Sequence, residues 1–257
     1  MKLQGYYRLG DDDPGAVSGA LFNTTTTDSA GVRDLTRNGS VLYSSDVPFP
    51  VVAGAPNAFS AEFSGTEFED LGYSSRLLNH EDNFGIELFT KVFSTANGVA
   101  GLTYDGKKNT TGFGILQGPS GFFAQLSGPS KQVTFFGETP FALNEWYHLA
   151  LVRDQGVSTF YVNGTAGGSS TAMAGTDSLT FHIGSSVGND TLHGLIDEVR
   201  LFTFQPGTFT TRDLLISQVP EPGTAGLLAV GLTTLLTRKR RRIQPRNPMQ
   251  FPQGSRT

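Results

Sequence analysis

The chain has 257 residues, with 19 Lys or Arg against 23 Asp or Glu, a net charge of −4, and no Cys. Without Cys there can be no disulfide, no thiolate nucleophile and no thiolate metal ligand. Seven of the 19 basic residues but only one of the 23 acidic ones lie at 219–257, so the rest of the chain is acidic, which argues against a nucleic-acid partner.

Gly occurs 32 times and Phe 20 times, a balance that favours strands joined by tight turns. Asp11-Asp12-Asp13-Pro14-Gly15 and Asn23-Thr24-Thr25-Thr26-Thr27 read as loops. Apolar runs of strand length follow at Ala58–Phe63, Gly85–Phe93, Phe122–Leu126, Gln132–Phe136, Trp146–Arg153, Thr159–Val162, Leu179–Ile183 and Leu195–Phe202, separated by Gly, Asn, Asp and Pro. Gly112-Phe113-Gly114 and Gly118-Pro119-Ser120-Gly121 read as hairpin turns, with no strand-to-helix context that would make them phosphate loops. In the Trp146 run, Trp146, His148, Ala150 and Val152 share one face and Tyr147, Leu149 and Leu151 the other. Both rows are largely apolar, which predicts a strand covered on both sides. Asp154-Gln155-Gly156 and Asn163-Gly164 are turn signals on either side of the next strand. No segment before residue 205 carries a helical stripe, so the pattern predicts an all-β, antiparallel sandwich.

The segments Trp146-Tyr147-His148-Leu149-Ala150-Leu151-Val152-Arg153-Asp154 and Phe160-Tyr161-Val162-Asn163-Gly164 together resemble a hairpin of the laminin-G-like jelly roll, within the concanavalin A-like lectin/glucanase superfamily. Gly194-Leu195-Ile196-Asp197-Glu198-Val199-Arg200-Leu201-Phe202 resembles its closing strand. Phe84–Lys91, Asp28-Ser29-Ala30-Gly31 and Tyr6-Tyr7-Arg8-Leu9-Gly10 are similar to other parts of it, the last to its first strand. The resemblance implies an antiparallel jelly-roll β-sandwich over residues 1–215.

Asp197 and Glu198 stand in an otherwise apolar strand, so one of them is expected to point inward, where a carboxylate must be paired or metal-bound. Some relatives hold a structural calcium near these positions. The metal reading is therefore Asp197 with Asp28, whose loop offers carbonyl oxygens to a structural Ca²⁺. The plain alternative is hydrogen bonding to loop amides and pairing with Arg200. Catalytic residues are expected to be absent. A glycan hydrolase needs two carboxylates about the scissile bond, and relatives with that activity carry Glu-x-Asp-x-x-Glu on one strand. Here Leu195 and Arg200 occupy the two Glu positions. Glu67-Phe68-Glu69-Asp70 and Glu81-Asp82 read as loop clusters, and His148 as a packed core histidine. Tyr73, Tyr104, Phe113, Phe122 and Phe123 are candidates for stacking on sugars.

At the other end, Val219-Pro220-Glu221-Pro222-Gly223-Thr224 precedes an uncharged stretch to Thr237 and the basic run Arg238-Lys239-Arg240-Arg241-Arg242. This order resembles the PEP-CTERM sorting signal, whose motif, here Pro220, Glu221 and Pro222, is read by an exosortase, a membrane protease. The apolar stretch is short for a membrane-spanning helix, which needs about 20 residues, but basic residues after it fit a cytoplasmic stop. The expected division is a jelly roll at 1–215, a sorting signal with a short hydrophobic helix at 216–242 and a disordered tail at 243–257. Met1–Arg8 has no apolar core of a secretory signal; the expectation is a start upstream, the alternatives being export by another route or a tail that is not a sorting signal. The expectation is a non-enzymatic protein of the cell surface or matrix that binds carbohydrate or extracellular protein, and meets the exosortase and the inner membrane transiently. The alternatives are a hydrolase of the same superfamily and a purely structural matrix component.

Overall fold

The computed structural model describes residues 1–219 except 67, 79–81, 129–131, 138–140, 176–179 and 187–189. The sorting motif at Pro220, Glu221 and Pro222 and the short hydrophobic helix lie outside the described residues. No helix among those described is long and apolar enough to cross a membrane.

In chain order the first strands are β1 (Lys2–Tyr7), β2 (Thr25–Thr26), β3 (Leu35–Asn38), β4 (Leu42–Ser44), β5 (Val51–Val52), β6 (Ala55–Pro56), β7 (Ser60–Ser64), β8 (Asp70–Tyr73) and β9 (Phe84–Ser94). They continue as β10 (Ala100–Lys107), β11 (Thr111–Gly118), β12 (Gly121–Ser127), β13 (Gln132–Phe136), β14 (Trp146–Asp154), β15 (Val157–Val162), β16 (Thr165–Ser170), β17 (Phe181–Ile183) and β18 (His193–Thr203). Sheet A runs β16-β15-β14-β9-β18-β7-β4, with β1 also on β18; sheet B runs β13-β12-β11-β10-β17-β8-β3-β2. The pairings are antiparallel, and β5 and β6 form a separate small hairpin. This is the all-β sandwich expected from the sequence.

The main core lies between the sheets. Ile86, Leu88, Leu149 and Leu151 from sheet A meet Phe113, Ile115, Ala124 and Leu126 from sheet B, and each large side chain so buried contributes about 1.5–3 kcal/mol. β14 is covered on both sides as its two apolar rows predict: Tyr147, Leu149 and Leu151 enter the main core, while Ala150 and Val152 pack in a second cluster with Phe202 and Leu214. Gln155 and Gly156 (φ 49° and 82°), like Asn163 and Gly164 (φ 50° and 76°), put both central turn residues at positive φ. That is the hairpin turn whose twist matches the strands.

Some expectations fail. Thr25 and Thr26, expected in a loop, form the short strand β2 on the edge of sheet B. Gly118–Gly121 does link β11 to β12, but Gly112-Phe113-Gly114 lies inside β11 rather than at a turn. A Cβ on Gly114 would overlap the Tyr104 ring and the Thr103 carbonyl. The glycine is there to let a ring lie across the strand, not to reverse the chain.

Candidate functional site

β18 changes neighbours partway along. His193–Ile196 pair with β7, and Val199–Thr203 pair with β1. Asp197 and Glu198 fall between the two ladders, the register to β9 slips there, and Glu198 takes a φ of 53°, uncommon for a residue other than Gly. Polar side chains fill the gap. Asn57 Nδ2 donates to Asp197 Oδ2 at 2.8 Å. Arg8 Nε donates to Glu198 Oε1 at 3.3 Å, and the Tyr6 hydroxyl donates to Glu198 Oε2. Arg8 Nη2 reaches Asp11 Oδ2 at 2.9 Å, and Asp11 Oδ1 accepts the Ala58 and Phe59 N–H groups.

Both Asp197 and Glu198 are 0 % exposed. Burial, then the neighbouring Glu198 charge, pushes the Asp197 carboxyl well above its ordinary range. Burial lifts Glu198 to about 7 even though Tyr6 and Arg8 favour its charged form. The side chain of Asn57 keeps its Oδ1, and Asp197 its Oδ1, buried with no hydrogen-bond partner among the described residues. Each such orphan costs about 1–3 kcal/mol.

Asp28 belongs to a different arrangement. Its carboxylate accepts the backbone N–H groups of Tyr6 and Ala30 at 3.0 Å and of Arg33 at 3.3 Å, which ties its loop to β1. Asp28 and Asp197 share no hydrogen-bond partner, and no three Asp, Glu or His side chains among the described residues gather in a metal-holding group. Arg200 does not pair with Asp197 or Glu198; it pairs with Glu87.

The outer face of sheet A is covered. Glu87, 0 % exposed, accepts from Arg200 Nε at 2.6 Å and from the Leu215 N–H at 2.9 Å, and shares a 2.8 Å hydrogen bond with His148 Nε2. Burial opposes its charge, but the His148 bond and Arg200 prevail and hold its carboxyl below the usual range. His148 is thus the buried, hydrogen-bonded histidine expected. Around this group, Leu215 packs with Val52 and Phe89 and, at the margin, Phe49 and Trp146.

The outer face of sheet B is built differently. Pairing registers align Thr36, Gly72, His182, Tyr104, Gly114, Gln125 and Thr134 across seven adjacent strands. Residues in register share a face, so these seven form one row at right angles to the chain direction. The Tyr104 hydroxyl lies 2.9 Å from Ser127 Oγ and 3.3 Å from Gln125 Oε1. Beside the row, Leu116 pairs with Phe123 and Phe123 with Phe136, and Phe136 is 59 % exposed. At the other end His182 Nδ1 is 2.9 Å from Asp70 Oδ2. Asp70 also accepts from Asn38 Nδ2 at 2.6 Å and Ser185 Oγ at 3.1 Å. Burial raises the Asp70 carboxyl, but these bonds outweigh it and leave it below its ordinary value.

Of the rings expected to stack on sugars, Phe113 and Phe122 are in the main core and Tyr73 packs against it. Tyr104 and Phe123 lie on the outer face of sheet B but are buried there, at 0 % and 7 % exposure, in a cluster with Leu116. Phe136 and His182 were not singled out by the sequence, because only the cross-strand register brings them beside the others. Asp70, expected in a loop, begins β8. Glu69 caps the chain by accepting from the Ser64 N–H at 2.7 Å; Glu67 and Glu81 lie outside the described residues.

Comparison with curated protein sequences finds no match. The fold of solved structures does match. Domain 4 of AbnA, a GH43 extracellular arabinanase from Geobacillus stearothermophilus, in complex with arabinotriose, is 20% identical with a TM-score of 0.60, covering 84% of this chain and 96% of that one. The Trypanosoma rangeli sialidase in complex with the inhibitor DANA is 12% identical with a TM-score of 0.54, covering 84% of this chain and 32% of that one. The botulinum neurotoxin serotype D binding domain is 10% identical with a TM-score of 0.55, covering 84% and 51%. Residues 218–242 match the PEP-CTERM protein-sorting motif. Residues 64–205, more than half of the chain, match the model of the concanavalin A-like lectin/glucanases superfamily, and the chain belongs to that family.

Proposed function

We propose that the protein is an exported, non-catalytic module of the cell surface or matrix that binds carbohydrate on the outer face of sheet B. The observation that carries this reading is the seven-strand row from Thr36 to Thr134, of which Thr36, Gly72, His182 and Thr134 reach the surface while Tyr104, Gly114 and Gln125 are buried. The exposed Thr36, Thr134 and Phe136 ring and the half-buried His182 suit a sugar chain, which offers hydroxyls at its edges and apolar C–H faces, while the outer face of sheet A is occupied by the protein's own chain. The arabinanase domain bound to arabinotriose supports a neutral oligosaccharide as the first probe. The sorting signal supports export and exosortase processing.

Asp70, the carboxylate on this face, does not suit the general acid of the hydrolase alternative. A general acid must hold its proton near neutral pH, whereas the Asn38, His182 and Ser185 bonds keep Asp70 ionised. Asp190, which accepts from Ser186 Oγ beside Asp70's partner Ser185, is engaged by Lys108. Retention of the protein on an array of neutral oligosaccharides, lost in His182→Ala, tests the binding reading; release of reducing ends from any of them would favour the hydrolase.

A structural Ca²⁺ is the second part of the proposal. The two orphaned oxygens, Asp197 Oδ1 and Asn57 Oδ1, are hard acceptors without donors, the chemistry Ca²⁺ takes. Asp197 and Asn57 would hold it, and the ion would supply the positive charge that Arg8 alone does not provide to Asp11, Asp197 and Glu198. Asp28, spent on three backbone amides, is the weaker partner.

A further inference from the structure

The chain reaches its sorting motif straight from a docked segment. Thr211–Asp213 and Leu215–Gln218 are single 3₁₀ turns lying on sheet A. Leu214 and Leu215 are 0 % exposed. The Leu215 N–H is held by Glu87, the Asp213 carbonyl accepts from Arg200 Nη2 at 2.6 Å and from Gln218 Nε2 at 2.9 Å, and Ile216 and Val219 pack beside Val52, Phe89 and Trp146. Val219 is the residue immediately before Pro220. A buried carboxylate that spends one oxygen on a main-chain N–H of a terminal segment, while Arg200 grips the same segment's carbonyl, is a receptor for that segment's backbone.

We propose that Glu87 and Arg200 are positioning residues for the processing reaction, which they govern by holding Leu214–Val219 on sheet A. The proposal rests on the tail being a sorting signal. A protease takes its substrate extended, with residues on both sides of the cut free of other structure, so cleavage of a docked segment waits on local opening. With Val219 packed, the residues before Pro220 become available only when the segment lifts. Processing then proceeds from a minor, undocked population, and the latch sets its rate.

The test uses the full chain in a host that carries the sorting protease, following precursor and mature protein by pulse-chase. Leu215→Ala weakens the latch. An insertion of about eight Gly and Ser residues between Val219 and Pro220, about 26 Å of extended chain, bypasses it without touching the fold. Each change alone should speed processing at least about tenfold, since Leu215→Ala removes a fully buried side chain from the docked segment and the insertion frees the motif from that segment. Together they should do no more than the insertion alone. Unchanged rates, or effects that multiply independently, overturn the proposal. Glu221→Ala separates the premises: if it leaves processing intact, the motif assignment fails, whereas if it blocks processing while the latch changes do nothing, the latch fails. Amide exchange on the purified protein gives a second readout. The Leu215 N–H should be protected in the parent and exchange fast in Glu87→Gln, with β9 amides still protected; fast exchange in the parent would refute docking.

Discussion

Replacing Arg200 with Met should be among the most damaging single changes to this domain. Glu87 is wholly buried, and Arg200 is the permanent cation against it, bonding through Nε at 2.6 Å and again through Nη2. Removing one partner of a buried pair leaves an uncompensated charge and costs about 3–5 kcal/mol. For a domain of this size that is a fall in Tm of about 6–20 °C, at about 2–4 °C per kcal/mol. Urea and thermal unfolding followed through Trp146 would measure it, since the single Trp packs at the edge of the Leu215 cluster. The double variant Glu87→Gln with Arg200→Met should lose less than Arg200→Met alone, because it removes both charges. A loss below about 1 kcal/mol in the single variant, or strict additivity in the double-mutant cycle, would refute the reasoning.

Ca²⁺ should raise the Tm of the parent protein relative to chelator, and Asp197→Asn or Asn57→Ala should abolish the increment; an equal Tm in both conditions contradicts the cation site. Without Ca²⁺ the Asp197–Glu198 cluster should weaken the fold as pH rises from the ordinary carboxylate value of 4.5 through about 7, because folded Glu198 holds its proton to higher pH than the unfolded chain. Stability curves against pH, with and without Ca²⁺, should converge at low pH and separate above it. Glu87 acts in the opposite sense: its depressed carboxyl contributes fully above its unfolded value of 4.5 and loses that contribution as pH falls through the folded one, so Glu87→Gln should flatten the acid limb. Gly114→Val should lose about 1–3 kcal/mol by overpacking, since its Cβ would overlap the Tyr104 ring, and should disturb sugar retention as well.

The fold was legible where strands carry alternating apolar rows and turns carry Asn-Gly or Gln-Gly. β14, β15 and β18 are of this kind, and so are the two hairpins around β15. β10 and β11 were not; in β11 the glycines at 112 and 114 read as a turn while in fact they make room for neighbours across the sheet. Asp197 stood out as a carboxylate in an apolar strand, and the structure does bury it. Its partner was not readable: Asn57 is 140 positions away and follows the β5–β6 hairpin, whose two-residue strands leave no periodic trace. Asp28 looked suitable because a local Asp-Ser-Ala-Gly loop is visible in sequence, but its oxygens serve the chain's own amides. The row on sheet B is a property of register alone. No two of its members are closer than nine positions in sequence, so only the assembled ladders reveal it.

Binding of sugar to the outer face of sheet B is the claim on which the functional account stands. The direct measurement is calorimetric titration of the full chain with arabinotriose and other neutral oligosaccharides, run beside His182→Ala and Gly114→Val variants shown to be folded. The account predicts saturable binding of at least one oligosaccharide by the parent and its loss in both variants at unchanged secondary structure. No binding by the parent, or equal binding by both variants, would contradict it.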